Sequence, residues 1–453
     1  MNLLTIGMLV WNLLHYEISI TPSFATRSLK GENRITFHTL TPGRDLTLDL
    51  LQPMRITAAR QGNTTLAFTH DGDRYIIHFP RTLPKNYTTT IEIQFEGVPH
   101  EASPTKAPFE SGWIWTVDDK NRPWAAVACE GTGAAIWLPC KRQLYDKPDS
   151  GITLHITVPD TLTAIGNGRL TNKRSHGNGT TTWTWTTKSP ISDYNIIPYI
   201  GKYARWEKTF PGQKGPLDCQ YWALDYNLQK AQQKFQEVDT MLRAFEYWMG
   251  PYPFYKDGYK LVEAPMYGGM EHQSNIAYGN KFKMGLEGRD LSSTGLGLKW
   301  DFIIVHESGH EWFGNNITGR GDTPSPNTPH STDDDSWIHE GFTKYTEVLY
   351  VEYVYGSTAA ETYYQGLLHR IKNDRPAMQG SSDKYYKGAA FLHAVRHLTG
   401  DTTFRALLHN LNSRFYHQSI STTQILTYMN TFIHHNLTPL FDQYMRTTKW
   451  PIN

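Results

Sequence analysis

Cysteine is scarce, with only Cys129, Cys140 and Cys219 in 453 residues. An odd number at wide spacing excludes a disulfide framework and offers no Cys-x-x-Cys metal knuckle. The three read as small apolar core residues. An excess of either charge is missing too: 44 Lys and Arg stand against 43 Asp and Glu, a net charge of +1. With no Lys/Arg block, neither nucleic acid nor an anionic membrane surface is an expected partner. No apolar run is long enough for a transmembrane segment. The N-terminal MNLLTIGMLVWNLLHYEIS is apolar, but it lacks a basic start and a small-residue cleavage site. It reads as the edge of a first strand. A soluble protein is expected, while compartment and oligomeric state are not encoded.

What is present divides the chain, which is too long for one core and suggests two or three domains. Over the first 200 residues the apolar period is two. Ile91, Ile93 and Phe95 alternate with polar partners in TTTIEIQFEG, as do Ile152, Leu154, Ile156 and Val158 in GITLHITVP. Asp71-Gly72 and Asn178-Gly179 read as hairpin turns, and TTTWTWTT (180–187) as a further strand. An antiparallel β saddle or sandwich is expected over 1–205. Near residue 205 the period changes. In NLQKAQQKFQEVDTMLRAFEYWMG, Phe235, Val238, Leu242, Phe245 and Trp248 recur at helical spacing, and Gly250-Pro251 ends the run. A short β stretch follows at 259–280, then helical patterns almost to the end. The expected whole is α+β and multidomain, with a mainly α domain over 206–453 that holds a small sheet.

The chemistry gathers in HESGHEW, 306–312. His306 and His310 stand at i and i+4, about 5–6 Å apart at Cβ on one helix face. Two imidazoles at that separation reach one zinc ion at about 2.0–2.1 Å. Glu307 between them is placed to take a proton from a water at the ion. Gly309 costs roughly 1 kcal/mol in a helix interior, so it suggests a close approach of backbone or substrate. A catalytic zinc site needs a third protein ligand, and WIHEGFTKYTE (337–347) offers Glu340. Glu347, two turns on, reads either as an acceptor for a ligand imidazole or as a solvated glutamate.

HESGHEWFGN followed by WIHEGFTKY resembles the zinc aminopeptidases of the aminopeptidase N and leukotriene hydrolase/aminopeptidase family. YGGMEH (267–272) is similar to that family's GxMEN strand. The resemblance assigns Gly268, Gly269 and Met270 to substrate binding and gives Glu271 the substrate's free α-amino group. ACEGTGAAIWLPC (128–140) resembles the β-domain segment that supplies a second amine contact, here Glu130. DKYYKGAAFL (383–392) resembles the YxKG motif, whose tyrosine, here Tyr385, stabilises the oxyanion. The resemblance covers nearly the whole chain. It implies a thermolysin-like second domain, one zinc ion per chain, and peptide substrates with a free N-terminus.

The pattern breaks in places. The stretch 311–339 between His310 and Glu340 is longer than in the family, with the surplus in the polar loop 321–336. His330, Asp333, Asp334 and Asp335 are therefore rival ligands to Glu340. The GxMEN asparagine is His272. The chain stops at FDQYMRTTKWPIN, so a compact form without the family's C-terminal domain is expected. An endopeptidase with an open cleft and a catalytically silent peptide-binding homologue stand as alternatives.

Overall fold

The computed structural model describes residues 10–142, 146–320 and 334–450. The expected first strand begins at Trp11; residues 1–9 lie outside the described residues.

The period-two segments form strands. Thr88–Gly97 and Ile152–Pro159 bury their Ile, Leu, Val and Phe positions and leave the alternate residues on the opposite face. They join an eight-stranded sheet in the order Arg169–Ser175, Thr180–Thr186, Ile152–Pro159, Trp11–Ser23, Ser28–Thr39, Thr88–Gly97, Arg55–Gln61 and Thr64–Thr65. One pairing departs from the antiparallel expectation. Trp11–Ser23 runs parallel to Ile152–Pro159, with Tyr16 opposite Ile152 and Ile20 opposite Ile156. Parallel neighbours need a long crossover. The chain between these two also builds a three-stranded sheet (Gly43–Asp49, Arg74–Leu83, Ala67–Asp71) and two strands, Gly112–Val117 and Pro123–Ala128, of a four-stranded one.

Strand Tyr203–Gly212 runs through position 205. With Gly215–Leu224, Tyr259–Glu263, Ile276–Gly279 and Gly268–Met270 it forms a mixed five-stranded sheet. This sheet lies between two cores. Trp222, Val262, Met270 and Ala277 face the β-domain core, while Tyr221, Leu261, Ile276 and Tyr278 face the helical one.

The expected single helix near 228–249 is two: α1 (Leu228–Lys234) and α2 (Glu237–Met249). The break falls where Phe235 inserts between Trp206 and Tyr278, at ring-centroid distances of 5.7 and 4.8 Å. Beyond it, Val238, Leu242, Phe245 and Trp248 stay buried and the helix ends at Gly250. Then come α3 (Phe302–Gly309), α4 (Trp337–Tyr355), α5 (Ser357–Leu368), α6 (Asp383–Thr399), α7 (Asp401–Arg414), α8 (Thr422–Ile433) and α9 (Thr438–Met445). Buried from Trp337 to Val351, α4 is the central rod, with α2, α3, α5 and α6 packed around it. It meets α6 where two glycines face each other: a Cβ on Gly341 would stand 2.9 Å from the Cα of Gly388. Only bare backbone allows that approach, and it sets Glu340 and Tyr385 against the same space.

Candidate metal centre and active-site cleft

α3 starts from a firm cap, since the Asp301 carboxylate accepts from the N–H groups of Ile303 and Ile304 at 3.1 and 3.3 Å. His306 lies in its last turn, and His310 sits just past its end, still in right-handed conformation. Gly309 faces α4: a Cβ there would meet Thr346 Oγ1 at 2.5 Å and Thr343 Cγ2 at 3.2 Å. The glycine thus makes room for side chains of a neighbouring helix, and neither substrate nor backbone fills the gap as expected.

That packing brings His306, His310 and Glu340 together, all buried, with their ligand atoms within 4.8 Å of one another. Glu340 Oε2 lies 3.8 Å from His306 Nε2 and 3.5 Å from His310 Nε2. It is a buried carboxylate oxygen with no hydrogen-bond partner among the described residues, an expensive state unless a cation fills it. The other ring nitrogens are engaged. His306 Nδ1 donates to Glu347 Oε1 at 2.6 Å and His310 Nδ1 to the carbonyl of Phe313 at 3.1 Å. Both Nε2 lone pairs are therefore turned inward. Glu347 is buried, not solvated, and also accepts from Lys344 (2.6 Å) and Tyr363 (2.7 Å). Burial lowers His306 to about 3, helped by Lys344, so its imidazole is neutral, as a ligand must be. Two neutral imidazoles and a carboxylate are a donor set that suits zinc.

The two rival ligands among the described residues do not converge here. Asp334 lies 3.4 Å from Lys384 Nζ, and Asp335 accepts from the Thr422 backbone at 2.8 Å. His330 and Asp333 lie outside the described residues.

Around these three side chains opens a cavity of about 690 Å³, reached by Glu130, Glu271, Glu307 and Tyr385 and floored by Gly268, Gly269 and Met270. A Cβ on Gly269 would stand 3.0 Å from Glu307 Cγ, so the strand lies directly against the stem of that glutamate. Glu271 closes one end, its oxygen within 4.8 Å of the nearest Glu307 and His310 ligand atoms. Glu130 arrives from the β domain on the turn after Pro123–Ala128 and is open to the cavity. Burial raises Glu307 well above the usual carboxylate range, with the charges of Glu271, Glu340 and Glu130 adding to it. Burial likewise pushes Glu340 up to about 7, opposed by Lys384 and Tyr385. Glu271 is raised for the same reason; at Glu130, open to the cavity but enclosed by the cleft walls, that enclosure and the charges of Glu271 and Glu340 act in the same direction. Four crowded carboxylates with raised pKa make a site that favours cations. Tyr385, raised far above its ordinary value by burial and by Glu340, keeps its hydroxyl proton and is a donor.

Several partners had no motif of their own. Tyr194 donates its hydroxyl to Glu271 Oε1 at 3.0 Å, and its carbonyl accepts from Cys129 Sγ at 3.2 Å, tying the Glu130 turn to Glu271. Asn315 donates to the Glu271 carbonyl at 2.7 Å and accepts from Asn195 at 2.7 Å. Lys344 lies over the Phe302 ring at 4.8 Å; its place four after Glu340 and three before Glu347 was the available signal. His272 does not line the cavity, and its Nδ1 lies 2.6 Å from the Tyr199 hydroxyl. The three cysteines are free and buried.

The chain belongs to peptidase family M1. The Peptidase M1 N-terminal domain matches residues 12–195 and the Peptidase family M1 domain matches residues 233–444. Endoplasmic reticulum aminopeptidase 1 of Mus musculus is 23% identical over 322 residues, covering 66% of this chain and 32% of its own. A leucyl aminopeptidase of Saccharolobus solfataricus is 20% identical, covering 96% of this chain and 54% of its own. The chain thus spans only a third to a half of these relatives. Among solved structures, a two-domain M1 zinc metallopeptidase variant bound to L-tryptophan superposes with a TM-score of 0.80 at 21% identity, covering 98% of this chain and 96% of its own. An M1 zinc metallopeptidase of Deinococcus radiodurans gives 0.78 at 21% identity, covering 98% of this chain and 95% of its own. The fold is that of two-domain M1 metallopeptidases, with a β-rich N-terminal part and a helical C-terminal part. No helix among the described residues is long and apolar enough to cross a membrane.

Proposed function

We propose that this protein is a zinc aminopeptidase that removes the first residue from peptides with a free N-terminus. The β domain, divided from the catalytic domain near residue 205, supplies Glu130. The observation that carries the reading is Glu271 beside the His306–His310–Glu340 cluster, in one cavity that Glu130 also reaches. Zinc held by these three ligands supplies a Lewis acid that polarises the scissile carbonyl and acidifies a water molecule.

The rest is the work of side chains. Glu271 and Glu130 accept charge-assisted hydrogen bonds from the substrate ammonium. That contact closes the N-terminal end of the cleft and places the first peptide carbonyl beside the ligand cluster. Glu307, its proton affinity raised by burial and by its neighbours, takes the proton of the attacking water and passes it to the departing amine. Tyr385 donates its hydroxyl to the developing oxyanion. Lys344 and Tyr363 hold Glu347, which keeps the His306 ring turned so that Nε2 faces inward.

The test is hydrolysis of alanine and leucine arylamides beside their N-acetylated forms, with and without a zinc chelator. Chelator-sensitive cleavage of the free-amine substrates alone is expected. Cleavage of the blocked forms makes the protein an endopeptidase and removes the amine-anchor roles of Glu271 and Glu130. Cleavage of neither favours a silent peptide-binding homologue.

A further inference from the structure

Outside the cleft, α6 carries a second His-x-x-x-His pair, His393 and His397. It repeats the spacing of His306 and His310. As at the inner site, a glutamate from a neighbouring helix completes the group, here Glu361 on α5, with all three ligand atoms within 4.8 Å of one another. His393 Nε2 lies 2.8 Å from His397 Nε2 and 3.5 Å from Glu361 Oε2. The second separation matches the 3.5 Å between His310 and Glu340. Donors around a tetrahedral ion at zinc distances stand about 3.3 Å apart. Admitting an ion therefore asks the two imidazoles to part by about 0.5 Å, and His397 lies on the exposed side of the pair.

On His393 and Glu361 the atoms that do not face the shared point are already anchored. His393 Nδ1 lies 3.2 Å from the Tyr345 hydroxyl, and its ring stacks on Tyr364 at 3.7 Å. Glu361 Oε1 accepts from Gln365 Nε2 at 2.7 Å. Partners of this kind orient metal ligands. The local charge also favours a cation. Arg396 beside the cluster is engaged by Glu352 at 2.6 and 2.8 Å and by Asp401 at 2.8 Å. With Glu361, three carboxylates share with one guanidinium a groove of about 590 Å³ that opens to solvent.

We propose that His393, His397 and Glu361 form a second cation site that takes a divalent transition ion, zinc foremost, and clamps α5 to α6. Two imidazole ligands disfavour calcium and magnesium, which take oxygen donors. The site is structural. Tyr385 and Tyr386 lie at the opposite end of α6, and α5 leads into His369 and Arg370, so an ion here braces two walls of the cleft. Its exposure makes it the more readily exchanged of the two. The site stands apart from the aminopeptidase reading, since none of its ligands lines the cleft.

The full chain is dialysed against zinc buffered at a micromolar free concentration, and bound zinc is counted by plasma mass spectrometry. Two ions per chain are expected in the unaltered protein and one in His397→Ala and in Glu361→Gln. Both substitutions fall on exposed side chains. Glu340→Ala should also hold one, the outer ion. A single ion in the unaltered protein that is lost in Glu340→Ala overturns the proposal. Two ions retained in both outer variants overturn it equally. A single ion that survives Glu340→Ala but vanishes in His397→Ala upholds the outer site and counts instead against the inner one.

Discussion

The two His-x-x-x-His pairs, on α3 and on α6, share a spacing and a glutamate from the next helix, yet little else. At the inner pair, Glu340 has 8% of its side chain exposed and an oxygen with no hydrogen-bond partner among the described residues; at the outer pair, Glu361 is 49% exposed. Around the inner pair stand Glu307, Glu271 and Glu130, their proton affinities raised by enclosure in the cleft and by neighbouring carboxylates, Glu340 in every case. Around the outer pair, the nearest acids are neutralised in part by Arg396. The spacing makes a pair of ligands in either place. Burial beside further carboxylates and a donor hydroxyl is what can turn a bound ion into a catalyst, because electrostatic effects grow as water is excluded.

Five substitutions break or sharpen that contrast. The largest effect belongs to Glu340→Ala, which should remove the inner ion and with it all chelator-sensitive turnover; full activity in that variant would move the third ligand elsewhere. Glu307→Gln should keep the inner zinc, measured by metal content, while turnover falls by at least about 100-fold, the lower range for a positioned base. Were turnover retained, the base would have to be another group. Tyr385→Phe should lower kcat by about 10²–10³ with KM little changed, the typical loss for one oxyanion donor. A shift confined to KM would make Tyr385 a binding residue only. Glu271→Ala removes a charge-assisted hydrogen bond worth about 1.5–3 kcal/mol, so kcat/KM for free-amine substrates should fall roughly 10–150-fold. An unchanged kcat/KM would free the ammonium from that glutamate. The smallest effect is on stability. Gly309→Ala should cost about 1–3 kcal/mol from overpacking against α4, read as a shift in denaturant midpoint; an unshifted midpoint would mean that Thr343 and Thr346 yield freely.

Much of this was legible beforehand, and for local reasons. Alternation at Ile91, Ile93 and Phe95 is a property of consecutive residues, so strand Thr88–Gly97 could be read to its ends. The i, i+4 pair His306 and His310 is set by helix pitch alone. The parallel pairing of Trp11–Ser23 with Ile152–Pro159 could not be read, because parallel partners are joined by a long crossover with no turn signature. The break at Phe235 was hidden because its apolar period continues across the gap; the aromatic cluster it enters comes from residues 206, 221 and 278. Glu347 stayed ambiguous because a helix glutamate reads the same whether it meets water or His306.

By itself the sequence determined the β-rich and helical halves and picked out His306, His310 and Glu340 as candidate ligands, since periodicity and short motifs act within a few residues. It also carried the resemblance that marks Glu130, Glu271 and Tyr385. The tertiary structure alone decided that Gly309 yields to α4 and that Gly341 meets Gly388. It alone linked Tyr194 to Glu271 and to Cys129 beside Glu130, and gathered Glu361, His393 and His397 on the outer face. Each of these depends on two elements far apart in the chain touching at one point, and only the packing of the helices and sheets sets that distance.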